Sequence, residues 1–143
     1  MAGANAALIA PDSSVLIAGA DPNHPFSKQA TAVLVEVRDR GRLVAHTLAE
    51  TYAVLSSAAY NHSPTRIVEY LRQFLDRAPI GVSPARYPRA VAELARSGIF
   101  GGAVYDGLIA LGARDAGIAL VSLDRRAVPA YRRCGVDFRL LDV

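Results

Sequence analysis

Apolar and polar positions along the chain form blocks that predict short strands separated by longer helices. The apolar runs LIA at 8–10 and IALV at 118–121 suit buried strands, whereas the apolar positions within 26–40 and 104–116 recur at helical spacing. Strands are predicted at 8–10, 43–46, 80–82, 118–121 and 138–141, and helices at 13–20, 26–40, 47–59, from 63 onwards, 86–96, 104–116 and 125–134. This alternation indicates one α/β domain over residues 1–143, with a mostly parallel sheet of about five short strands flanked by helices on both faces.

The helix predicted at 47–59 begins with a specific signal. Thr47 and Glu50 match the T-x-x-E capping box, in which each side chain accepts a hydrogen bond from the other residue's backbone N–H group. The box predicts Thr47 as the N-cap and gives Glu50 a structural explanation.

Composition narrows the class of protein. The 143 residues, 52% of them hydrophobic, suffice to fill one core, and no window approaches the roughly 18 uninterrupted apolar residues of a membrane span. The N-terminus lacks the basic residues and longer apolar core of a signal peptide, so we expect a soluble, cytoplasmic protein with no membrane partner. The single cysteine, Cys134, excludes an internal disulfide and a cluster of thiolate metal ligands within one chain.

The basic side chains are almost all arginines. The formal net charge is +3, and Lys28 is the single lysine among 16 basic residues. A GC-rich genome is the first explanation of this bias, and phosphate binding by guanidinium groups is a further one. Walker-type phosphate loops and phospho-receiver domains each need a lysine in a specific context, which Lys28 does not have, so both are excluded.

Four of the 13 acidic residues stand out by their position. Asp12 and Asp124 follow apolar strands, and Glu50 and Asp106 lie in the first turns of helices with apolar neighbours. Taken one at a time, Asp12, Asp124 and Glu50 can each be explained by helix capping. Asp106 can be explained by its favourable interaction with the helix dipole. Their shared position at strand exits and helix starts nevertheless predicts that the fold brings all four to one edge of the sheet, where ligands bind in α/β proteins.

Four carboxylates within a few ångströms could not all ionise near neutral pH without a cation, because like charges repel. All-oxygen ligands without thiolates select a hard ion, Mg²⁺ or Mn²⁺. Such an ion fits phosphodiester hydrolysis, since it polarises the phosphoryl oxygen and lowers the pKa of an attacking water.

With these residues in place, the chain resembles the PIN-domain ribonucleases and, among them, the VapC-type toxins of toxin–antitoxin pairs. Four motifs carry the resemblance, which covers nearly the whole chain: DSSVLIA at 12–18, LAETYAVL at 48–55, YDGLIA at 105–110 and VSLDR at 121–125. The resemblance implies a PIN-like fold and metal-dependent cleavage of RNA, usually structured RNA of the translation machinery. It also implies a homodimer and inhibition by a cognate VapB-like antitoxin.

The resemblance also assigns site residues by position. It implies three aspartates that bind the divalent ion, a glutamate that binds it directly or through water, and two serines that orient the carboxylates. Pro11, which lacks an N–H at the end of the first strand, and Arg126, where relatives often carry an acid, depart from the family pattern. The catalytic and metal-binding residues implied are Asp12, Asp106, Asp124 and Glu50, with Ser14 and Ser122 as the orienting hydroxyls.

Arginines are the candidates for binding the phosphates of RNA. Arg125 and Arg126, beside Asp124, are the better candidates for RNA binding, and Arg86 and Arg89 are weaker ones.

Two other functions fit parts of the sequence. One is a catalytically silent PIN-like module that acts through protein contacts. The other is a phosphatase of the haloacid dehalogenase type, which also begins with an aspartate at a strand end. That class needs a second aspartate where Ser14 stands, and a catalytic lysine, so the sequence disfavours it.

Overall fold

A three-stranded parallel sheet forms the centre of the protein. The computed structural model describes residues 8–141, in which β1 (Ile9–Pro11) and β3 (Phe138–Leu140) pair on either side of β2 (Ala119–Ser122). Residues 1–7, on which the expectation about a signal peptide rests, and 142–143 lie outside this range. Because the strands are parallel, their carboxyl ends meet at one edge, and Asp12 and Asp124 follow β1 and β2 there.

Seven α-helices surround this sheet within the described range. No helix in residues 8–141 is long and apolar enough to cross a lipid bilayer. The helices are α1 (Ser13–Ala20), α2 (Ser27–Arg40), α3 (Ala45–Leu55), α4 (Pro64–Arg72), α5 (Tyr87–Arg96), α6 (Ala103–Asp115) and α7 (Val128–Cys134), with a 3₁₀ turn at Arg125–Ala127 before α7.

Both faces of the sheet are buried, because successive side chains of a strand point to opposite faces. Ile9 and Val121 pack with residues of α1 and α2, whereas Ala10 and Leu120 pack with residues of α5, α6 and α7. The predicted α/β architecture with a parallel sheet is therefore confirmed.

The prediction of about five strands is wrong for the described residues, which contain three. The segments 43–46 and 80–82 are joined by one isolated parallel bridge, between Val44 and Ile80. The first of these segments still runs beside β1, because Arg42 donates its backbone N–H to the carbonyl of Ile9 at 3.1 Å.

Pro11 explains why this pairing stops. Successive N–H groups of a strand point to opposite sides, and the N–H of Asp12 donates to the carbonyl of Val121 on β2 at 2.9 Å. The N–H that Pro11 lacks would therefore face the segment at 42–44, where it would continue the ladder. The backbone of Asp12 itself keeps its hydrogen bond to β2, so the proline leaves the carboxylate attached to the central strand.

The capping box predicted for α3 is also wrong. The helix begins at Ala45, and its N-cap is Val44, which has no capping side chain. Thr47 lies inside the first turn, is buried, and donates its hydroxyl to the carbonyl of Val44 at 2.7 Å. Glu50 instead accepts a hydrogen bond from Ser13 of α1.

Candidate metal centre

Asp12 lies where β1 passes into α1, and it caps that helix. Its Oδ1 accepts hydrogen bonds from the backbone N–H of Ser14, at 3.0 Å, and from the Ser14 hydroxyl. Tyr131 donates its hydroxyl to the other oxygen, Oδ2, at 2.7 Å. Both carboxylate oxygens are therefore held, and the residue is only 3% exposed.

The protonation of Asp12 reflects a balance between burial and hydrogen bonding. Burial raises the pKa of its carboxyl above the ordinary value, because the charged form loses hydration. Hydrogen bonds from Ser122, Ser14 and Tyr131 act in the other direction by stabilising the carboxylate. The groups that lower this pKa are all neutral hydrogen-bond donors. A bound cation would stabilise the carboxylate further by direct attraction between opposite charges.

Asp106 lies in the first turn of α6 and is half-buried. Burial raises the pKa of its carboxyl, and the negative charges of Glu50, Asp124 and Asp12 raise it further, to about 6. Arg126 has a smaller effect in the opposite direction. The other three acids singled out from the sequence thus lie close enough to Asp106 to repel its negative charge.

The hydroxyls of Ser14 and Ser122 hold the loop that carries Asp124. Ser14 Oγ accepts the backbone N–H of Leu123 at 2.9 Å, and Ser122 Oγ accepts that of Asp124 at 2.9 Å. Asp124 accepts the backbone N–H of Arg126 at 2.9 Å and so caps the 3₁₀ turn. Ser14 therefore connects α1 to a loop that is distant in sequence, whereas Ser122 holds its own loop.

Glu50 projects from α3 towards α1. The hydroxyl of Ser13 donates to Glu50 Oε1 at 3.1 Å, and His46 Nε2 lies 3.9 Å from Glu50 Oε2. The His46 ring stacks on Tyr105, with a centroid distance of 5.3 Å. Because Tyr105 precedes Asp106, this stack joins the helix that carries Glu50 to the helix that carries Asp106.

The donor set fits a hard divalent ion in charge and in chemistry. The four side chains offer carboxylate oxygens, and a cation would relieve their mutual repulsion. Within residues 8–141, no three acidic, histidine or cysteine side chains stand close enough together to enclose an ion as they are. Side-chain rotation is therefore needed to bring the oxygens around one.

Of the predicted RNA-binding arginines, three are exposed: Arg125 and Arg126, which begin the 3₁₀ turn, and Arg89 on α5. The side chain of Arg126 is 94% exposed, and its Nε lies 3.5 Å from Asp124 Oδ1. An open groove of about 500 Å³ lies beside the acids, with Ser13, Phe26, Leu123, Asp124 and Arg126 among its lining residues.

Arg86 belongs to a network of ion pairs between helices. It bonds to Asp115 at 3.1 Å and to Glu93 at 3.2 Å, and Arg114 contacts the same two acids. This ion network ties α5 to α6, and Arg114 also donates to the carbonyl of Cys134 at 2.9 Å. The structure therefore does not group Arg86 with the acids of the candidate centre.

The contact of Tyr131 with Asp12 was not predicted from the sequence. A signal was present, because Tyr131 continues an apolar stripe of Ala127, Ala130 and Cys134, and a buried tyrosine hydroxyl needs a partner. Nothing in the sequence named that partner.

Comparison with known proteins gives the family. The family model of the PIN domain matches residues 9–133 of the sequence. Ribonuclease VapC40 of Mycobacterium tuberculosis is 34% identical over 137 residues, which cover 94% of this chain and 99% of that protein. Ribonuclease VapC27 of the same species is 35% identical over 96 residues, which cover 66% of this chain and 69% of the relative.

Solved structures agree on the fold. A structure described as FitAB bound to an IR36 DNA fragment superposes with a TM-score of 0.67 at 18% identity and covers 93% of this chain and 94% of that one. PAE2754 from Pyrobaculum aerophilum gives a TM-score of 0.59 at 18% identity, over 92% and 90% of the two chains. The match along nearly the whole sequence and the shared fold lead to one conclusion: the chain belongs to the PIN-domain family, and within it to the VapC group.

Proposed function

We propose that this protein is a metal-dependent endoribonuclease and the toxin of a VapBC-like toxin–antitoxin pair. The observation that carries the proposal is the group of four carboxylates at the carboxyl edge of the sheet, where burial and the negative charges of the other three acids raise the pKa of Asp106 to about 6. The names of the relatives, ribonucleases VapC40 and VapC27, support RNA as the substrate. The proposed enzyme is one domain over residues 1–143 and acts in the cytoplasm.

Asp12, Asp106 and Asp124 would hold Mg²⁺ or Mn²⁺, with Glu50 as a direct or water-mediated ligand. When bound, such an ion polarises the scissile phosphoryl oxygen and lowers the pKa of an attacking water. Ser14 keeps the Asp12 carboxylate in place by hydrogen bonding, and Ser122 fixes the backbone of Asp124. The two serines thereby hold the Asp12 side chain and the backbone of Asp124 in place before an ion binds.

The substrate strand would lie in the groove that contains Asp124 and Arg126. Arg126 and Arg125 are the arginines proposed to bind phosphates, and Arg89 is a weaker candidate on α5. Arg86 is omitted because its guanidinium is engaged with Glu93 and Asp115. The proposed target is structured RNA of the translation machinery.

The proposed partners are a VapB-like antitoxin and a second copy of this chain in a homodimer. The relation to VapC proteins supports the antitoxin. A haloacid dehalogenase-type phosphatase and a silent binding module are not favoured, since the relatives along the chain are ribonucleases and the acids are present.

The decisive experiment compares RNA cleavage by the wild type, Asp12→Asn and Asp76→Asn. Asp76 is an exposed acid outside the candidate centre, so its variant controls for loss of one charge. We expect Asp12→Asn and excess chelator each to reduce cleavage by at least about 100-fold, and Mn²⁺ to restore the chelated wild type. Undiminished cutting in chelator, or by Asp12→Asn, would refute the proposal. Growth arrest by an uncleaving Asp12→Asn/Asp106→Asn variant would favour the binding module instead.

A further inference from the structure

The Tyr131 hydroxyl donates a hydrogen bond to Asp12 Oδ2. Tyr131 is fully buried on α7, and its ring packs near Phe138 of β3, at a centroid distance of 5.9 Å. Asp12 is buried as well, so the bond of 2.7 Å lies within the core and not at the surface. A phenylalanine would fill the same space, so packing alone does not account for the hydroxyl.

The direction of this hydrogen bond is well defined. An ionised carboxylate only accepts hydrogen bonds, so the phenolic hydroxyl of Tyr131 is the donor to Asp12 Oδ2. Oδ1 of Asp12 is already occupied by the N–H and the hydroxyl of Ser14. Tyr131 therefore supplies the second point of attachment, and two points fix the plane of the carboxylate.

The bond also joins two parts of the candidate centre. Tyr131 lies on the helix that follows the 3₁₀ turn capped by Asp124, whereas Asp12 ends β1. A carboxylate oxygen has two lone pairs, so Oδ2 can accept from Tyr131 and still offer a ligand position. The outer partners of metal-binding carboxylates act in this way, and their loss typically weakens metal binding about 10- to 100-fold.

We propose that Tyr131 is a positioning residue that holds the Asp12 carboxylate in its ion-binding orientation and thereby sets the affinity of the centre for a divalent cation. This inference rests on the proposed function, because it takes Asp12 to be a metal ligand. It assigns to the tyrosine hydroxyl a role beyond core packing.

The test compares Tyr131→Phe with Tyr70→Phe. Tyr70 is a matched control, since its hydroxyl also donates a hydrogen bond, to the carbonyl of Leu16 at 2.6 Å, and within residues 8–141 it donates to none of the four acids. Mn²⁺ affinity is measured without RNA, from the free-ion signal in electron paramagnetic resonance. We expect both variants to unfold a few degrees below the wild type, and only Tyr131→Phe to bind Mn²⁺ about 10- to 100-fold more weakly.

Equal Mn²⁺ affinity of Tyr131→Phe and the wild type overturns the inference, as does an equal loss in both variants. A wild type that binds no Mn²⁺ overturns the proposed function itself, which separates the two failures. A second measurement needs no Tyr131 variant: in wild-type protein labelled with ¹³C at the tyrosine Cζ atoms, Mg²⁺ should shift the Tyr131 resonance and leave that of Tyr70 in place. An unmoved Tyr131 resonance at saturating Mg²⁺ would overturn the inference even if Tyr131→Phe failed to fold.

Discussion

Replacing Asp106 by asparagine should stabilise the metal-free protein at alkaline pH. In the folded state the pKa of Asp106 is about 6, against an ordinary value of 3.8. Folding therefore favours the protonated carboxyl, and the ionised carboxylate opposes folding above pH 6. The asparagine side chain has no such charge to accommodate.

The magnitude follows from proton linkage. At about 1.4 kcal/mol per tenfold change in proton affinity, the difference between 3.8 and about 6 corresponds to about 3 kcal/mol. Asp106 is half-exposed, so solvent screening reduces this to about 1.5 kcal/mol. Loss of the negative charge in the first turn of α6 removes roughly 0.5 kcal/mol of helix-dipole stabilisation. We therefore expect a net gain of about 1 kcal/mol at pH 8.

The dependence on pH has a definite sign. As pH rises from below 3.8 to above 6, the unfolded chain releases its proton first, so the wild type loses stability relative to Asp106→Asn across this window. Urea denaturation in chelator at pH 4.5 and pH 8 measures the gap between the two proteins. It should be clearly larger at pH 8, and saturating Mn²⁺ should reverse it by stabilising only the wild type. A gap that is constant with pH, or a wild type that is the more stable protein at pH 8 in chelator, would refute the electrostatic argument.

Two further predictions concern packing and substrate binding. Gly41→Ala should destabilise the fold by about 1–3 kcal/mol in urea denaturation, because a Cβ there would lie 2.6 Å from a backbone oxygen of β1. Gly102→Ala should change stability little, since a Cβ there would have no atom within 4 Å. Equal losses of stability in the two variants would contradict the close contact between Gly41 and β1. Arg126→Ala should weaken RNA binding and lower the slope of log affinity against log salt by about 1, while Arg86→Ala should lower stability and leave that slope unchanged. The same salt slope for wild type and Arg126→Ala would remove that arginine from the proposed groove.

Three of the four acids could be placed from the sequence because each is tied to a local feature that the structure contains, whereas the capping box that explained Glu50 was wrong. Asp12 and Asp124 follow short apolar runs that suit buried strands, and Asp106 heads the buried stripe of α6. Parallel strands then bring their carboxyl ends to one edge, so the topology converts local positions into proximity.

What the sequence could not provide were contacts set by tertiary structure. The T-x-x-E pattern at Thr47 satisfied a local rule, yet the helix starts at Ala45, where the chain leaves its bridge to Ile80. The partner of the Tyr131 hydroxyl could not be predicted either, because Asp12, which accepts its hydrogen bond, is far from it in sequence.

The pairing of β1 with β2 has a consequence for synthesis. Ile9 of β1 pairs with Ala119 of β2, so β1 waits for a partner that the ribosome makes much later. Contacts between such distant segments form late and slowly, because the chain must lose the conformational entropy of a long loop before these contacts can stabilise the fold. The proposed centre needs Asp12 and Asp124 together, so a nascent chain cannot complete it before Asp124 has left the ribosome. The topology thus delays assembly of the proposed centre until β2 has been synthesised and has paired with β1.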